Sequence, residues 1–196
     1  MTKLLSARWK IYWLLFVITT LIYLVMIFWS LPKLSEFAGG DLAFDLRPAG
    51  YSFEEAKTFI GALGSNGIDF YIEVQQRLDS VYPALLAIVL VGGLLGLDFK
   101  GWGWVFSVFA IAGSVFDYLE NAAVRVMLQM GPGGLTAEMA EQASGWTLLK
   151  SISATIAMGG LLILVLIALY RYFFMRKSVL PESSAPSNGD EAAANK

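Results

Sequence analysis

A chain of 196 residues that is 57% hydrophobic and 15% charged, with a mean hydropathy of +0.61, is too apolar for a soluble domain of its size and falls in the membrane class. A formal net charge of −2 with scattered basic residues excludes a nucleic-acid-binding stripe. The absence of Cys and His excludes disulfides, thiol nucleophiles, haem ligation and the usual zinc or di-iron sites, so any catalysis rests on carboxylates, Lys, Tyr or Ser, and no cofactor is called for.

Lys3, Arg8 and Lys10 precede an apolar run that predicts a first span over 11–30, close to the ~20 residues needed to cross a hydrocarbon layer. The run is longer than a signal-peptide core and no small-residue cleavage site follows it, which reads as an uncleaved anchor. Residues 31–80 change character, with Pro32, Gly39, Gly40, Pro48 and Gly50 breaking the chain and eight acidic residues against four basic ones. This is the expected extracytoplasmic segment. Ser52-Phe53-Glu54-Glu55 has the form of a capping box. Phe53, Ala56, Phe59, Ile60 and Leu63 then recur at helical spacing up to Gly64, predicting a short amphipathic helix that lies on the bilayer or covers the mouth of the bundle.

After a predicted turn at Gly64-Ser65-Asn66-Gly67, a helical pattern leads into a second span over 81–97. Pro83 either sits in the first turn of a helix capped by Ser80 or interrupts a continuous helix and frees the carbonyl of Asp79. Gly92 and Gly96 form a G-x-x-x-G that permits close helix approach. The short link 98–101 makes the second and third spans a hairpin. The third span is expected over 102–121, with Asp117 roughly 6 Å inside its boundary at 1.5 Å per residue. Gly131-Pro132-Gly133-Gly134 reads as a loop, 136–143 as a short helix ending at Ser144-Gly145, and 147–174 as the fourth span. Ser151, Thr155 and Gly159 form a small-residue face on it, suited to packing within the bundle or between copies as a homo-oligomer. Lys150 falls in its expected first turn, where the helix dipole disfavours a cation and a nearby carboxylate would relieve the misfit. Trp102, Trp104, Trp146, Tyr170 and Tyr172 sit near span ends as interfacial belts. Residues 178–196, rich in Pro, Ser, Ala and Asn, read as a disordered cytoplasmic tail.

The expected fold is therefore all-α: a polytopic membrane protein over 1–177, with four transmembrane helices in an antiparallel bundle and short outward-facing amphipathic helices. Lys3, Arg8, Lys10, Lys100, Arg171, Arg176 and Lys177 flank one side, which the positive-inside rule makes cytoplasmic together with both termini.

Ionisable groups at membrane depth are costly and mark sites. Asp117, Glu120 and Asn121 share one helix face, with Arg125 one turn further on. Span ends bring Arg77, Asp79, Tyr82 and Lys150 to the same depth, and Asp45 and Arg47 in the outward loop can reach it. These ten residues are the candidate ligand-binding set. The cytoplasmic half of every span is apolar or small, which favours a one-sided outward pocket over a channel or proton path.

The spaced residues Asp45-Leu46-Arg47-Pro48-Ala49-Gly50-Tyr51, Leu63-Gly64-x-x-Gly67, Leu78-Asp79-x-x-Tyr82-Pro83 and Asp117-Tyr118-x-Glu120-Asn121 resemble the pattern of an uncharacterised family of small four-helix bacterial inner-membrane proteins, over roughly residues 40–150. The resemblance implies a bacterial inner-membrane origin and no activity.

Three function classes follow. The first is a non-enzymatic module whose pocket receives a lipid headgroup, a small amphiphile or a membrane-protein partner. The second is an outer-leaflet enzyme using Asp117 or Glu120 as general base or as ligands to a divalent metal, with Arg125 or Lys150 holding an anionic group. The third, a coupled transporter, is disfavoured by the lack of an inverted repeat. Against all of them stands a structural ion-pair network that locks helix register.

Overall fold

The computed structural model describes residues 2–174. Arg176, Lys177 and the expected tail at 178–196 lie outside them. Within the described residues the chain is helical, with no strand: α1 (Thr2–Val25), α2 (Leu31–Phe37), α3 (Phe53–Phe70), α4 (Gln76–Gly96), α5 (Trp102–Gly134) and α6 (Ala137–Phe174). Four stretches are long and apolar enough to cross a membrane: Ala7–Phe37, Phe53–Gly96, Trp102–Gly134 and Ala137–Phe174. Their outer faces carry large exposed apolar side chains, among them Trp9, Trp104, Val108, Leu162 and Leu166. Such faces are unfavourable against water and at home against lipid tails. Trp102, Trp104, Tyr170 and Tyr172 are exposed as well.

Two widened turns join helices that would otherwise be separate. Over Met26–Ser30 and over Tyr71–Gln75 the backbone forms π turns, in which the N–H of Leu31 reaches the carbonyl of Met26 and that of Gln76 reaches Tyr71. Each links a long helix to a shorter neighbour without breaking the backbone ladder.

The helices run further than the apolar pattern suggests. Ser52 caps α3 in a complete capping box with Glu55, and Gly64 breaks the helix at φ +60 as expected. The predicted turn at 64–67 is not a loop, because helix resumes directly after Gly64 and continues through the π turn into α4. Pro83 lies inside α4, so the continuous-helix alternative holds. At 131–134 Gly131, at φ +65, kinks α5, and the helix resumes through Gly134 before the extended Leu135 separates it from α6. The expected separate helix over 136–143 is the start of α6. Gly145 interrupts nothing, since Ala140, Ala143 and Thr147 on either side of it are buried and hold the backbone in register. Lys150 consequently sits well inside α6 and not in its first turn, so the dipole argument for its need of a partner does not apply.

α5 packs along both α4 and α6, and α1 packs along α4 while hardly touching α6. Two apolar clusters result. One, at the end of the molecule where residues 38–52 lie, joins Leu34, Phe44, Phe59, Ile60, Tyr71, Met127 and Leu128. The other joins Leu90, Leu94, Ala110, Ala157 and Leu164 between α4, α5 and α6. Close approach depends on small residues at Gly113, whose added Cβ would lie 3.4 Å from the Ser153 Cβ, and at Gly92, which meets the ring of Tyr12. The predicted small faces only partly coincide with these contacts, because Gly96 and Gly159 have open space around them.

Candidate functional site

Between the two apolar clusters lies a polar layer, and each helix that crosses it contributes. Asp45 arrives from a single 3₁₀ turn, Phe44–Leu46. Phe44 is fully buried against the rings of Tyr51 and Phe59, with centroids 4.5 and 4.8 Å away, and this anchors the turn. The hydroxyl of Tyr71 then donates to Asp45 Oδ2 at 2.8 Å, while Oδ1 lies 3.8 Å from Lys150 Nζ.

From α4, Asp79 is 3% exposed, and its Oδ2 accepts from Gln75 Nε2 at 2.8 Å. Gln75 in turn accepts from the hydroxyl of Ser30 at 2.6 Å, so the two π turns are tied to each other and to Asp79. From α5, Asp117 Oδ1 accepts from Asn121 Nδ2 at 3.3 Å and from Lys150 Nζ at 3.4 Å. Glu120, 1% exposed, accepts from Thr147 Oγ1 at 2.5 Å and pairs closely with Lys150. One ammonium thus serves three carboxylates. Asp79 is a fourth, and among the described residues it forms no ion pair.

Of the ten predicted residues, Asp45, Asp117, Glu120 and Lys150 are brought into direct contact, and Asp79 and Tyr82 share a cavity wall with Asp45, Asp117 and Lys150. Asn121 touches the group through Asp117. The arginines do not join it. Arg77 is exposed and pairs with Glu73 on the same helix. Arg125 donates to Gln76 Oε1 at 2.8 Å, and Gln76 donates to the carbonyl of Asn121. Arg47 donates to the carbonyl of Leu42 and lies over the ring of Phe59. Direction about the helix axis separates Arg77 from the group: it stands two positions from Asp79, roughly half a helical turn round.

Sequence reasoning missed Gln75, Thr147, Tyr71 and Ser30, which supply four neutral donors. Gln75 and Thr147 carry a usable signal, standing four and three residues before Asp79 and Lys150 on adjacent helix positions. It also missed Tyr51, whose hydroxyl is buried near Thr147 and, among the described residues, forms no well-aligned hydrogen bond. Burial, and next the nearby charge of Glu120, push that phenol well above its ordinary range, so it stays neutral.

A cavity of about 770 Å³ begins at Asp45, Asp79, Asp117 and Lys150 and runs along α1, α4 and α6 past Tyr23, Leu86 and Met158 to Tyr12, Leu161 and Val165. Over the polar layer on the other side sits the apolar roof of Phe44, Phe59 and Tyr71. The hollow therefore follows the helices, in the space left between α1 and α6, and does not pass through that roof. Comparison with family models, curated proteins and solved structures finds no match to this chain.

Proposed function

We propose that this is an integral membrane protein of the bacterial inner membrane that binds an amphiphile, a lipid or a small molecule with a polar head and an apolar tail, in the hollow between α1, α4 and α6. The observation that carries the reading is the hollow's two-ended chemistry: charged side chains at one end and a largely apolar, uncharged wall for the rest of about 770 Å³, within the range of small-molecule sites. Groups this costly to bury, facing a cavity at membrane depth, are a site before they are scaffolding.

Lys3, Arg8, Lys10, Lys100 and Arg171 cluster in sequence at the helix ends remote from the polar layer. By the positive-inside rule that end is cytoplasmic and the acidic end extracytoplasmic, in an antiparallel four-helix bundle with α3 as its outward cover. The head of the amphiphile then lies at the level of the outer leaflet.

A structural reading has one observation in its favour, the hydrogen bond from Thr147 and the ion pair with Lys150 that hold Glu120. It accounts for the α5–α6 contact but not for the cavity. For an outer-leaflet enzyme built on a metal, the described residues offer no group of three or more carboxylates that could hold the ion.

Native mass spectrometry of the full chain released from mild detergent tests the binding reading. The expected spectrum carries an adduct of amphiphile mass, absent from an Ala154→Trp variant that fills the hollow. A bare protein peak that is identical in both would overturn it.

A further inference from the structure

We infer that the head of the amphiphile is cationic, an organic ammonium, and that it is held at Asp79 with Asp117 beside it. This rests on the amphiphile reading above and adds the charge of the ligand.

Among the described residues, the charged side chains that line the hollow are Asp45, Asp79, Asp117 and Lys150. An anionic head entering here would face three carboxylates and one cation. That cation is already engaged: Lys150 stands 3.4 Å from Asp117, 3.8 Å from Asp45, and closest to Glu120. An ammonium head meets the opposite situation. Asp79 is nearly enclosed, faces the cavity and has an amide donor from Gln75 but, among the described residues, no cation in ion-pair contact. A buried acid of this kind is costly unless it is paired, and an incoming N–H donor completes it.

The arginines that would recognise phosphate or carboxylate are placed elsewhere. Arg77 is spent on Glu73 at the surface, and Arg125 on Gln76. Guanidinium groups are the usual means of reading such heads, and none lines the hollow among the described residues.

Tyr23 and Tyr82 add a third feature. Their rings stack 6.0 Å apart and line the same wall one turn from Asp79. Aromatic faces near a carboxylate are favourable ground for an ammonium group. Beyond them the wall is largely apolar, with Phe16, Ile27, Leu86 and Leu161 beside Thr19 and Thr20, and carries no further charge among the described residues. From Tyr12 to Met26 the α1 side of this wall spans about 21 Å at 1.5 Å per residue, room for an extended tail.

The test uses the full chain in phosphatidylcholine nanodiscs, with empty nanodiscs as the partitioning control. Octylammonium, octanoate and octanol share a tail and differ in the charge of the head. Isothermal titration is expected to give octylammonium at least tenfold tighter binding than octanoate, and Asp79→Asn is expected to remove most of that advantage while leaving octanol unchanged. Octanoate binding as tightly as octylammonium, or an Asp79→Asn protein that binds octylammonium like the wild type, overturns the cationic head while leaving the amphiphile site standing. Failure of all three probes overturns both. Should Asp79→Asn not fold, the head series on the wild-type protein decides alone.

Repeating the titration with phosphatidylethanolamine in the nanodiscs separates the sources. Competition identifies a lipid amine, and undiminished octylammonium binding identifies a free cationic amphiphile. Both outcomes keep the ammonium assignment.

Discussion

Ser30 donates its hydroxyl to Gln75 Oε1 at 2.6 Å, linking two π turns that are 45 residues apart in the chain. Both residues are fully buried, and the amide of Gln75 passes the contact on to Asp79. π turns are rare and recur at functional sites, because the inserted residue redirects a side chain that a regular helix would point elsewhere. Here they bring the amide of Gln75, its oxygen held by the Ser30 hydroxyl, to a carboxylate that makes no ion pair among the described residues.

The relay predicts an ordered pair of losses. Ser30→Ala leaves the Gln75 carbonyl oxygen buried without that donor, a cost of ~1–3 kcal/mol. Gln75→Leu removes the donor to Asp79 as well and is expected to cost more. Thermal unfolding of both variants in the same detergent checks the order, and equal melting temperatures for Gln75→Leu and wild type would remove the relay from the account.

Lys150 is the tie among α5, α6 and the loop that carries Asp45. Lys150→Met leaves three enclosed carboxylates without their cation, and breaking a buried pair from one side typically costs ~3–5 kcal/mol. Adding Glu120→Gln to it removes one of the abandoned charges. The double variant is therefore expected to recover part of the lost stability, and a double variant less stable than Lys150→Met would show that Glu120 is held by Thr147 alone.

Much of this layer was legible in the one-dimensional pattern. Asp117 and Glu120 stood out as acids in an apolar run, and Lys150 and Asp79 fell at matching depths in neighbouring runs. What the pattern does not carry is rotation about each helix axis. Glu120 and Asn121 are one residue, roughly 100°, apart, so one turns to Thr147 on α6 while the other turns towards Asp117 and has its carbonyl held by Gln76 on α4. Arg77 and Asp79 diverge for the same reason. The π turns leave no mark in composition, and a Gly that kinks a helix at 131 and a Gly that does nothing at 145 look alike until the packing around them is known.

Gly50 sets the loop that delivers Asp45. Its φ of +84 lies in the left-handed region, and a Cβ there would stand 2.5 Å from Ser144 Oγ, the group that accepts from the Tyr51 N–H at 2.8 Å. Gly50→Ala therefore meets both a backbone penalty and a clash with a hydrogen-bonded neighbour. A loss of about 2 kcal/mol or more is expected, against near-neutral behaviour for Gly145→Ala, whose added Cβ meets nothing within 4 Å. Comparing the two melting temperatures checks this.

Tyr51 gives the pH dependence its sign. Its phenol is raised above the ordinary value near ~10, first by burial and then by Glu120, so the fold favours the neutral form. The stabilisation is complete below about pH 10. As pH climbs past that value the unfolded chain ionises and the folded one does not, and stability falls until the raised folded value is reached. Tyr51→Phe cannot ionise in either state and discards a buried hydroxyl that forms no well-aligned hydrogen bond among the described residues. At pH 7 it is expected to match or exceed the wild type, by up to ~1 kcal/mol. Between about pH 10 and 11 its advantage should widen. Melting curves of the two proteins from pH 7 to 11 measure the difference, and parallel curves across that range would mean that the Tyr51 hydroxyl is in contact with water.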